Sequence, residues 1–163
     1  MVVSEKLLEL MPEKKEELLM KKLDDIYASI IRQMGFIIFE KTAHEMIMQG
    51  KSLEEISDEY LNQLNQQLGM KIDPIFKYEW LYIPHIFHTP FYCYAYAFGN
   101  LMTLALYHKY KQDAGFLEKI ENMLSLGGSK SPMEITREAG IDISKKEFWQ
   151  EGFDMIKEMV NLI

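Results

Sequence analysis

The chain has 163 residues, of which 48% are hydrophobic, and this length and composition fit one folded domain over 1–163 with a sizeable core. Its net charge of −7 and pI near 5.2 exclude the basic surface that nucleic acids and anionic membranes select. A single cysteine excludes an internal disulfide and fits a reducing, cytoplasmic setting.

The N-terminal residues do not read as a secretory leader, because Glu5, Lys6, Glu9, Glu13, Lys14 and Lys15 interrupt the apolar positions. No apolar stretch reaches the roughly 18 residues that a spanning helix needs. Ser4 to Met11 reads as a short helix or turn capped by Ser4, and Pro12 suits the first turn of a long helix. Leu18, Leu19, Leu23, Ile26, Ile30, Met34, Ile37, Ile38 and Met48 then recur at helical spacing, so that helix is expected to run to Gly50, with a break at Gly35. Ser52-Leu53-Glu54-Glu55 is a capping box, in which the serine oxygen and the glutamate reciprocally satisfy free amides. The helix it opens carries Ile56, Tyr60, Leu61 and Leu64 and stops at Gly69. Met70 to Glu79 reads as a connector containing Pro74.

Trp80 to Gly99 is the densest aromatic stretch of the chain and holds His85, His88 and Cys93. Tyr92, Tyr94 and Tyr96 alternate with Cys93, Ala95 and Ala97, a strand-like period, but Asn100 to Tyr110 favours helix. The stretch is therefore read as an irregular approach bounded by Pro84 and Pro90 that opens into a buried helix ending near Lys111. If the tyrosines are helical, Tyr92 and Tyr96 share a face and Tyr94 points elsewhere. Core filling by aromatics is one reading; a cleft wall whose phenol and imidazole tips donate hydrogen bonds is the other. Gly115 opens a further helix, Gly127 to Ser131 forms a loop, Pro132 starts a helix ending at Gly140, and Ser144-Lys145-Lys146-Glu147 reads as another capping box before an amphipathic last helix. The expected fold class is all-α, with no strand required.

Ile83-Pro84-His85 followed by Pro90-Phe91-Tyr92-Cys93-Tyr94-Ala95-Tyr96-Ala97-Phe98-Gly99 resembles the C-terminal signature of oligoendopeptidase F, a branch of the thimet-oligopeptidase-like zinc metallopeptidases. Leu23 to Tyr27 through Phe39-Glu40, then Ala43-His44-Glu45, then Gly127 to Pro132 with Ala139 to Asp142, are similar to the same family in the same order. The resemblance implies a helical bundle forming the C-terminal part of a larger metallopeptidase fold that hydrolyses short peptides. It also implies a cleft in which His85 and one of Tyr92, Tyr94 and Tyr96 hold the substrate backbone and the oxyanion, with His88 as a further substrate contact. The Gly127-Gly128-Ser129 loop of the family lies near that cleft, where open amides could touch a peptide.

The departure from the family lies at the metal. His-Glu-x-x-His, the zinc motif, does not occur: His44-Glu45-Met46-Ile47-Met48 has Met48 where the second imidazole belongs. The resemblance implies that the chain begins just after the last zinc ligand, with Glu5 as a former supporting group. Zinc is then a cofactor of the complete enzyme, and this chain alone holds no metal and cleaves no peptide. The implied partners are short peptides and an N-terminal catalytic half; a helical peptide-binding module that dimerises is the alternative.

The remaining candidates read more plainly. Glu40 and His44, four apart on one helix face, lack the second Glu-x-x-His copy that a helical di-metal centre needs. Asp24 and Asp25 read as a solvated face or as partners of Arg32. Cys93 reads as a small buried thiol, since nothing specifies the base and orienting group of a thiol nucleophile. Gly127 to Ser131 lacks the spacing of a phosphate loop.

Overall fold

In the computed structural model, which describes Lys6 and residues 10–163, the secondary structure is helical, with no strand among the described residues. The Ser4 cap and Glu5 fall outside the described residues. The elements divide into two compact units, one made of Ile26–Phe98 and the other of the segment ending at Asp25 together with Gly99–Ile163.

Pro12–Lys14 forms a 3-10 turn that leads into α1, Lys15–Ile26. A π turn over Tyr27–Ile31 joins α1 to α2, Arg32–Met48, so the irregularity falls before Gly35 and not at it. Gly35 is helical, and its missing side chain accommodates α3, Leu53–Leu68: a Cβ there would lie 2.6 Å from Gln67 Oε1. The Ser52 capping box forms as expected, with the Glu55 amide donating to the Ser52 hydroxyl at 3.2 Å and the Ser52 amide donating to Glu55 at 2.8 Å. Gly69 ends α3 in the left-handed region at φ 66°.

The expected connector is instead largely a 3-10 run, Pro74–Tyr82, begun by Asp73, whose side chain accepts from the Ile75 amide at 2.9 Å. Its Trp80 is buried against Phe39, with ring centroids 5.4 Å apart, and its indole donates to Ser57 at 3.2 Å. Phe36, Phe39 and Ala43 from α2, Ile56, Tyr60 and Leu64 from α3, Trp80 and Cys93 make one continuous apolar core in this unit. Arg32 takes Glu79 and Tyr60 as hydrogen-bond partners, an arrangement that spacing along α1 and α2 did not reveal.

The short helix α4, Pro84–His88, places Pro84 in its first turn, and α5 runs over Tyr94–Gln112. Pro90 therefore precedes α5 in a turn and does not sit in its first turn. In the other unit, α6 (Phe116–Leu126), α7 (Pro132–Glu138) and α8 (Lys146–Val160) build a core around Ala105, Phe116, Ile135, Ile141 and Phe148. Ser131 caps α7 with a reciprocal pair to Glu134. The capping box expected at Ser144 does not form: the Ser144 hydroxyl and amide both donate to Asp142 Oδ1, at 2.6 and 3.0 Å, and Lys145 is the residue before α8. A carboxylate two residues upstream outcompetes the helix for that hydroxyl. Gly152 of α8 lets the Leu101 carbonyl of α5 approach to 2.9 Å of where a Cβ would stand.

Candidate functional site

Within Ile26–Phe98, α4 and the start of α5 bring three polar-tipped rings together. His85 Nε2 and the Tyr96 hydroxyl are hydrogen-bonded at 3.0 Å. The Tyr92 ring stacks parallel to the His85 ring, with centroids 6.0 Å apart and planes 8° from parallel, and meets Tyr96 edge-on at 5.7 Å. Tyr92 is 45% and Tyr96 39% exposed, so this aromatic corner is not enclosed in the core. Tyr94, the first residue of α5, is exposed and outside the cluster, and His88 is exposed on α4. Gly127 and Gly128 lie in the other unit, in the turn that follows α6, where Gly127 has φ 51°.

The turn that presents Tyr92 is unusual. The Tyr92 amide donates to the Thr89 carbonyl at 3.1 Å, Pro90 is the second residue of that turn, and Phe91 is the third, with φ 60°. Proline second and positive φ third is the pattern of a type II turn, where glycine is the usual third residue. For a phenylalanine this backbone costs about 1–3 kcal/mol and persists only where the surroundings impose it. Two α2 side chains do so: Glu40, 1% exposed, accepts the Phe91 amide at 2.8 Å, and the His44 ring packs 5.1 Å from the Phe91 ring. The sequence showed Glu40 and His44 as one helix face but gave no sign of their target, because phenylalanine carries no left-handed preference.

Cys93 is fully buried beside this turn, and burial, reinforced by the Glu40 carboxylate, pushes its thiol above the usual range. The thiolate is disfavoured, which fits a packing role.

The sequence profile of Peptidase family M3 matches residues 1–155. The chain belongs to peptidase family M3. It is 33% identical over 141 residues to the oligoendopeptidase F homolog of Borreliella burgdorferi, covering 83% of this chain and 24% of that protein. It is 28% identical over 172 residues to the chromosomal oligoendopeptidase F of Lactococcus lactis subsp. cremoris, covering 98% of this chain and 28% of that one. The crystal structure of oligoendopeptidase-F from Enterococcus faecium superposes with a TM-score of 0.85 at 29% identity, covering 98% of this chain and 32% of that chain. The all-α fold and the resemblance to oligoendopeptidase F are thus confirmed, and the M3 chain spans only about a quarter to a third of the length of these relatives.

The zinc that the family resemblance implies does not fit the donors described. No group of three or more His, Cys, Asp or Glu side chains that could hold a metal ion occurs among the described residues. His85 Nε2 is committed to Tyr96, and one Glu40 oxygen to the Phe91 amide. No helix among the described residues is long and apolar enough to cross a membrane.

Proposed function

We propose that this chain supplies the substrate-facing wall of an oligoendopeptidase F-like peptidase acting on short peptides. His85, Tyr92 and Tyr96 contact the peptide and stabilise the oxyanion of the tetrahedral intermediate. The observation that carries this reading is the His85–Tyr96 hydrogen bond at 3.0 Å with both rings partly exposed. The hydrogen bond holds the imidazole and the phenol side by side in a fixed geometry, as polar donors at an exposed corner. A donor preorganised in this way stabilises charge that develops during the reaction and loses little by reorganising. Parallel stacking of Tyr92 fixes the His85 ring plane, so the pair is aimed before substrate arrives.

His88 and Tyr94 are secondary peptide contacts in the same reading. The water-activating part of the enzyme lies in protein beyond these residues, consistent with the fraction of the relatives that the chain spans. Ile31, Met34 and Ile38 are exposed along a groove of about 430 Å³ beside α2, an apolar surface suited to cover by that further protein or by a second copy.

The test is titration of the chain, labelled at histidine and tyrosine rings, with a short peptide, followed by NMR. Saturable shifts of His85, Tyr92 and Tyr96 with a Kd of about 1 mM, an affinity near 4 kcal/mol, are expected, with His108 unmoved. Peptide that leaves the His85 and Tyr96 signals in place at tenfold higher concentration would overturn the reading.

A further inference from the structure

We infer that Glu40 is a positioning residue for the His85–Tyr92–Tyr96 group: its buried carboxylate locks the middle peptide of the Thr89–Tyr92 turn in the flipped orientation that stacks Tyr92 on His85. The inference rests on the reading of those three rings as the substrate-facing group.

Type I and type II turns differ by rotation of the peptide between their second and third residues. Here that peptide joins Pro90 to Phe91, and its amide is the one Glu40 accepts at 2.8 Å. Proline at the second position permits either turn, and phenylalanine at the third favours type I, with negative φ. The observed φ of 60° is the opposite choice. The acceptor that selects it is nearly free of solvent: Glu40 is 1% exposed and its other oxygen has no hydrogen-bond partner. A buried carboxylate with one oxygen unsatisfied is costly as core filling, and its placement is explained by the amide it holds. Tyr92 is the next residue along, and its own amide closes the turn onto Thr89. Flipping the Pro90–Phe91 peptide re-aims the backbone entering Tyr92 and so moves the ring that stacks on His85. His44, one helical turn after Glu40 on α2, braces the Phe91 ring and completes the grip.

The experiment compares histidine ring-proton signals in the chain and its Glu40 variants. Stacked on Tyr92 and edge-on to Tyr96, the His85 signal should stand apart from that of exposed His88; loss of a signal in His85→Gln assigns it. Glu40→Gln keeps an acceptor oxygen and is expected to leave the His85 signal in place. Glu40→Met removes it and is expected to bring the His85 signal onto that of His88, while His108 in the other unit stays unchanged. Phe91→Gly, which favours the left-handed turn without help, is expected to restore the His85 signal in the Glu40→Met background. A core-packing role for Glu40 predicts no such rescue. If Glu40→Met fails to fold, Glu40→Asp, which withdraws the acceptor by one methylene, replaces it with the same expected displacement. A His85 signal unmoved by loss of the acceptor, or not restored by Phe91→Gly, overturns the inference. No peptide is present, so the outcome is separate from that of the peptide titration: displaced rings with no peptide response would retain Glu40 as the lock and remove the substrate reading.

Discussion

A single hydroxyl organises the polar edge of the Ile26–Phe98 core. Tyr60 is 3% exposed; its hydroxyl donates to Glu79 at 2.9 Å and accepts from Arg32 at 3.0 Å, while its ring meets Phe39 edge-on at 4.8 Å. Burial pushes the phenol well above its ordinary pKa, so it stays a neutral donor. Tyr60→Phe keeps the ring and removes both bonds, leaving a part-buried ion pair less well satisfied. A loss of about 1–2 kcal/mol in urea denaturation is expected, and an unchanged midpoint would show the hydroxyl to be dispensable. At this scale the sequence was informative about chemistry and weak about partners. His85, Tyr92 and Tyr96 were visible as polar aromatics, but the helical face expected to join Tyr92 and Tyr96 does not exist, because α5 begins at Tyr94 and the two rings meet across the turn that precedes it. Proximity along the chain offers Asp24 and Asp25 either as a solvated face or as partners of Arg32, whereas Tyr60 and Glu79 reach Arg32 only after folding. The role of Glu40 was hidden for the same reason, since its target is a backbone amide 51 residues away.

The elements that were legible are those fixed by local hydrogen bonds. Ser52 with Glu55 and Gly69 delimit α3 as their chemistry requires, and Ser131 with Glu134 does the same for α7. Ser52→Ala should lower the stability of α3 and its core by about 1 kcal/mol, read from thermal denaturation, and a neutral outcome would mean that packing alone sets the helix start. The same cap implies a pH dependence. The Lys51 ammonium, then the Ser52 amide and hydroxyl, hold the Glu55 carboxyl down from 4.5 to about 2. A folded pKa below the unfolded one gives a contribution that is complete above pH 4.5 and lost as pH falls through about 2. Glu55→Gln should therefore flatten the acid limb of a stability-versus-pH curve in that window and change little at pH 7 beyond the loss of the ion pair. The elements that were misread depend on distant contacts. Gly35 looked like a break but serves the close approach of Gln67, the irregularity lies at Tyr27–Ile31, and the 3-10 run ending at Tyr82 is held by burial of Trp80. Ser144 failed as a cap because Asp142, two residues away, captures its hydroxyl.

For the molecule as a whole, membership of peptidase family M3 and superposition on oligoendopeptidase-F give the chain its setting, and it spans about a quarter to a third of the length of those relatives. The described residues form two compact helical units, and the aromatic corner belongs to one of them. The motif His-Glu-x-x-His does not occur in these 163 residues, so the chemistry proposed for this chain rests on the hydrogen-bonding groups of His85, Tyr92 and Tyr96. Such a division of labour separates the effects of substitution: loss of an oxyanion donor lowers kcat and kcat/KM together, whereas loss of uniform binding raises KM alone. The most direct measurement is therefore the kcat for short-peptide hydrolysis by an M3 peptidase form that contains this chain, with and without Tyr96→Phe. A fall of about 10²–10³-fold in kcat with KM little changed is the expected result. A folded Tyr96→Phe enzyme with undiminished kcat would contradict the assignment of the His85–Tyr96 pair to the oxyanion.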